Sequence, residues 1–108
     1  MKIEEVFARR RFIMLDGAMG TQLQLRGLTT EQKPELAAFI MPDVLTAVHR
    51  DYARAGADIL LANTFGANPR KLKGTGYTVQ QVIEASIACA RTAVQETGAL
   101  VALDIGPI

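Results

Sequence analysis

Asp16, Gly17 and Ala18 are the residues whose types and spacing point most directly to chemistry. They lie in the stretch Leu15-Asp16-Gly17-Ala18-Met19-Gly20-Thr21. Gly17 and Gly20 allow positive φ and a close approach of backbone to ligand, and amides opening a following helix favour an anion. The Asp16 carboxylate beside them favours a cation. A carboxylate next to free amides is complementary to the ammonium and carboxylate of an α-amino acid. The same Gly-x-x-Gly spacing also serves plain capped turns, so the pattern alone leaves both readings open.

The flanking sequence says which elements must position this turn. Phe12-Ile13-Met14-Leu15 is an apolar run without a polar break, the pattern of a parallel strand buried on both faces. Thr21 to Arg26 can continue as a helix up to Gly27, and Ile3 to Arg10 can form a short amphipathic helix ahead of the strand. Pro34 suits the first position of a helix over Glu35 to Ile40. Met41, preceding Pro42, is biased toward extended backbone and should end that helix. From Pro42 to Ala55, residues Val44, Leu45, Val48, Tyr52 and Ala55 recur at helical spacing, and Gly56 is the expected stop.

Asp58 to Ala62 reads as a second strand, running into Asn63-Thr64-Phe65-Gly66-Ala67-Asn68-Pro69. There Asn68 can cap a short helix begun by Pro69. Thr78 and Gln81 have the spacing of a capping box for a helix with Val82, Ile83, Ile87, Ala90 and Val94 on one face, stopping at Gly98. Ala99 to Leu103 is the third strand. The three strands and their crossovers predict an α/β unit of the form βαβαβ with parallel strands. Its strand ends would present Asp16, Asn63 and Asp104 on one side, where such architectures bind ligands. Asn63 taken alone could equally serve only to tie down its loop.

Other candidates are weaker. Gly74-Thr75-Gly76 lacks the Gly-Lys-Ser/Thr ending of a phosphate loop and follows no strand. His49, the single histidine, is expected to be a helix-surface or packing residue. Cys89, the single cysteine, reads as a small core or partly exposed thiol, which excludes a disulfide within the chain and any multi-cysteine metal site.

Twelve Lys and Arg balance eleven Asp and Glu in the 108 residues, a net charge of +1 that suggests neither a nucleic-acid surface nor a polybasic membrane patch. Arg9-Arg10-Arg11 is the only basic cluster and reads as a solvated flank. No apolar stretch could span a bilayer, and acidic Glu4 and Glu5 stand where a signal peptide would be apolar, so a cytoplasmic location is expected.

Several motifs in register resemble the homocysteine S-methyltransferase family. They are Asp16-Gly17-Ala18-Met19-Gly20-Thr21, Pro34-Glu35-Leu36, His49 and Tyr52 before Ala55-Gly56-Ala57-Asp58, Asn63-Thr64-Phe65-Gly66-Ala67, and Ile105-Gly106-Pro107. The likeness is strongest to the homocysteine-binding domain of cobalamin-dependent methionine synthases. It implies a (β/α)₈ TIM barrel in which homocysteine, bound as a thiolate to zinc, accepts a methyl group to give methionine. It also implies methyltetrahydrofolate as donor by way of cobalamin, although a sulfonium or betaine donor stays open.

By the same resemblance, Asp16 would receive the substrate ammonium, Gly17 and Ala18 would offer amides to its carboxylate, and Asn63 would lie near the substrate. Where the family usually has threonine before this asparagine, the chain has Ala62. A complete barrel takes about 250 residues. The 108 residues are therefore expected to be one N-terminal portion of it, its first three βα units, with no catalytic residue, no metal ligand and no cofactor of its own. Its partners would be the remaining barrel and the folate- and cobalamin-binding domains. The alternative is a non-catalytic βα module that self-associates or complements a separate chain.

Overall fold

Two helices carry most of the packing, and their sequences explain why. In the computed structural model, which describes residues 2–9 and 12–106, α4 spans Pro42–Arg54 and α6 spans Val79–Ala93. Pro42 stands at the first position of α4, and α6 opens with the complete capping box of Thr78 and Gln81, both reciprocal hydrogen bonds being present. Leu45, Val48, His49 and Ala53 of α4 are buried, as are Val82, Ser86, Ala90 and Ala93 of α6.

The shorter elements follow the expected order. They are α1 (Ile3–Arg9), α2 (Gly20–Leu25), a 3₁₀ turn (Pro34–Leu36) running into α3 (Ala37–Ile40), and α5 (Pro69–Leu72). Met41 breaks the chain between α3 and α4 at φ −146°, and the Asn68 side chain accepts from the Lys71 N–H to cap α5. Leu23 of α2 and Leu28 join Ala37, Ala38, Leu45 and Val48 in the main core cluster. Among the described residues no helix is long and apolar enough to cross a membrane.

The sheet is smaller than the sequence suggests. Strands β1 (Ile59–Leu61) and β2 (Leu100–Ala102) pair in parallel, Leu60 opposite Val101. The expected first strand over Phe12 to Leu15 is reduced to one parallel bridge, Leu15 to Ile59. Two features account for this. The Met14 N–H donates to the Asp58 carboxylate at 3.0 Å rather than to a neighbouring carbonyl, which ends the ladder. No described element covers the outer side of the run, and Phe12, Met14 and Leu15 are exposed. The chain is thus an α/β fold with a small parallel sheet.

Helix α6 also ends earlier than expected. It leaves helical geometry at Val94, and a turn carries the chain to Gly98, whose φ is +72°. Arg10, Arg11, Pro107 and Ile108 lie outside the described residues, and with them the expected last residue of the first helix, most of the basic cluster and the end of the Ile105-Gly106-Pro107 motif.

Candidate functional site

The C-terminal ends of the strands and the turn after Leu15 enclose a cavity of about 360 Å³, whose polar lining includes Asp16, Gly17, Ala18, Glu35, Asn63 and Asp104. Among the described residues three carboxylates line it and no lysine, arginine or histidine does. Its electrostatics therefore favour a cationic group.

Asp16 is held by β1. Both of its carboxylate oxygens accept from the Leu61 N–H at 3.2 Å, and its own N–H donates to the Ile59 carbonyl. Burial pushes its pKa above the ordinary value; the Leu61 N–H opposes that, and the nearby Asp104 carboxylate adds to it. A positive charge is what would complement this pair. Asp104 is fixed through its backbone, since the nearly fully buried Thr64 hydroxyl donates to its carbonyl at 2.8 Å and accepts from its N–H at 3.0 Å.

The cavity also offers groups that suit an anion. The N–H groups of Gly17 and Ala18 donate to no described residue, and both residues line the cavity. Helix α2 is only six residues long, so the anion preference expected at its start rests on these free amides and not on a macrodipole. Asn63 donates its side-chain N–H to the Pro34 carbonyl at 2.7 Å. That bond ties down the segment carrying Glu35, as its loop-anchoring reading expects, and Asn63 still lines the cavity.

Glu35 escaped the sequence reading, although it stands in a quoted motif. Its side chain lies against Gly66, where any Cβ would collide with it. Only that requirement for glycine could have hinted at the contact. Phe65 forms part of the wall, with the Lys71 ammonium 5.6 Å from its ring centroid. His49 is on α4, fully buried and away from the cavity, a packing residue rather than a surface one.

Cys89 is partly buried on α6, its thiol 3.8 Å from the Pro42 carbonyl. Among the described residues no three His, Cys, Asp or Glu side chains converge as a metal site would require. The residues present therefore do not fit the zinc that the resemblance implies.

The structure is thus a parallel α/β unit with carboxylates and free backbone amides around one cavity at its strand ends, where such units bind ligands. A profile of the homocysteine S-methyltransferase family matches residues 13–108, and the chain belongs to that family. It is 37% identical over 97 residues to a methionine synthase of Mycobacterium tuberculosis, covering 82% of this chain and 8% of that protein. To a homocysteine S-methyltransferase of Escherichia coli it is 31% identical over 90 residues, covering 79% of this chain and 29% of that one. The crystal structure of the metallated homocysteine methyltransferase MmuM of Escherichia coli superposes with a TM-score of 0.83 at 28% identity, over 97% of this chain and 41% of that one. The chain thus spans less than half the length of each of these relatives.

Proposed function

We propose that this chain is the homocysteine-binding portion of a (β/α)₈ barrel methyltransferase that gives methionine from homocysteine. The observation that carries the reading is that one cavity is lined both by the Asp16 and Asp104 carboxylates and by Gly17 and Ala18, whose amides donate to no described residue. Asp16 receives the ammonium, the two amides receive the carboxylate, and Asn63 closes the strand-end side. The substrate's thiol is left free to reach into the barrel. The donor is methyltetrahydrofolate by way of cobalamin, a choice supported by the likeness to methionine synthase.

Zinc, when bound by the whole protein, would keep the thiol deprotonated at neutral pH. The residues of this chain hold the substrate's amino-acid end. Asp16→Asn in the intact protein keeps shape and removes charge opposite the ammonium. Homocysteine affinity should fall by roughly one to two decades, the value of a charge-assisted hydrogen bond of about 1.5–3 kcal/mol. Calorimetry showing unchanged affinity would return Asp16 to the role of an anchor for β1.

A further inference from the structure

Tyr52 is a residue of the sequence motif that the reading above leaves without a task. It stands on α4, packs against the main core cluster, and crosses to the Asp16 turn, 34 residues earlier in the chain. Its hydroxyl donates to the Ala18 carbonyl at 2.6 Å. Its ring lies so close to Gly17 that a Cβ there would meet the hydroxyl oxygen at 3.0 Å and the ring at 3.1 Å. One side chain thus fixes two successive residues of the turn.

The peptide geometry gives this contact a direction. No peptide bond among the described residues is cis, and in a planar trans peptide the C=O and N–H point opposite ways. With the Ala18 carbonyl turned to Tyr52, the N–H of Met19 points away from Tyr52. That N–H, like those of Gly17 and Ala18, donates to no described residue, and all three residues line the cavity. Beside the ring, the Arg26 guanidinium at the end of α2 meets Asp51 of α4 at 2.7 Å.

We infer that Tyr52 is a positioning residue for substrate recognition: by holding the Ala18 carbonyl and crowding Gly17, it presents the Gly17, Ala18 and Met19 amides to the substrate carboxylate. The inference rests on the proposed reading that an amino-acid carboxylate binds at this turn. Tyr52→Phe removes the hydroxyl and leaves the ring, so packing of α4 is retained.

Two ligands separate a positioning role from a structural one. In the intact protein, Tyr52→Phe should weaken L-homocysteine binding by about tenfold, the value of one hydrogen bond, and leave binding of 3-aminopropanethiol, which lacks only the carboxylate, unchanged. In turnover, KM for homocysteine should rise and kcat stay within about twofold. Equal weakening of both ligands, or of neither, would overturn the inference. If the unaltered protein binds no homocysteine, the proposed function fails, and Tyr52 is then judged on the backbone. NMR order parameters of Gly17, Ala18 and Met19 should fall in Tyr52→Phe with those of α4 preserved, and unchanged values would overturn the positioning role.

Discussion

His49 shows what one buried side chain can impose on the whole domain. It is fully buried on α4, and neither ring nitrogen has a hydrogen-bond partner among the described residues. Desolvation lowers its pKa from 6.5 to about 4. Folded protein therefore binds this proton less readily than unfolded chain does, and the cost of folding with His49 neutral grows as pH falls below 6.5. Stability should be flat with respect to this group above pH 6.5 and decline toward pH 4, by about 3 kcal/mol at most. Thermal unfolding at fixed protein concentration across that range measures it. The decline should shrink in His49→Leu, and persistence of the full decline would assign it to other groups. The sequence exposed the histidine but not its burial, because a polar residue on an apolar face leaves no trace in hydropathy. The place of Asp16, Gly17 and Ala18 at the strand-end cavity was legible for the opposite reason. Their chemistry is local, and the cavity forms around the turn that they themselves build.

Helices read more faithfully from sequence than strands in this chain, and the difference is physical. Capping boxes, proline at a first helical position and glycine stops are signals within a few residues, and α4, α5 and α6 begin where those signals lie. The buried faces of α4 and α6 are turned slightly from the apolar stripes, toward Ala53, Ser86 and Ala93. Small residues let two helices approach, so packing selects them over larger apolar neighbours. A strand instead needs a partner at long range, and the run from Phe12 to Leu15 fails to extend because Asp58 captures the Met14 amide. Thr64 was likewise invisible as a clamp on Asp104, forty residues away. The capping signal is directly testable. Thr78→Ala leaves the Gln81 N–H without its side-chain acceptor and should cost about 1 kcal/mol, read as a lower denaturation midpoint with an unchanged slope. No change in midpoint would mean that packing against α4 alone sets where α6 begins.

At the scale of the molecule, the donor set and the open surfaces lead to two further expectations. One cysteine and one histidine on separate helices cannot supply the roughly three protein ligands and open position of a thiol-activating zinc site. Residues 1–108 by themselves should hold no stoichiometric zinc after dialysis and transfer no methyl group to homocysteine. One tightly bound zinc per chain, by metal analysis, would contradict this. The second expectation concerns solution behaviour. Helices pack on the β1–β2 pair, where Leu60 is fully buried, but an apolar surface next to the sheet stays open: Phe12 is 67% and Ile105 77% exposed, and Met14, Leu15 and Leu103 are exposed with them. Among the described residues β2 also leaves its outer ladder edge unpaired, and an exposed apolar surface beside an open edge is what a second chain pairs with. These 108 residues in isolation should therefore associate, with a scattering mass that rises with concentration and a melting temperature that rises with it. Phe12→Lys, which puts charge on the open face without touching the core, should shift the mass toward that of a single chain. A monodisperse monomer with a cooperative, concentration-independent transition would mean that two paired strands and their helices suffice as a fold, and that this face needs no cover.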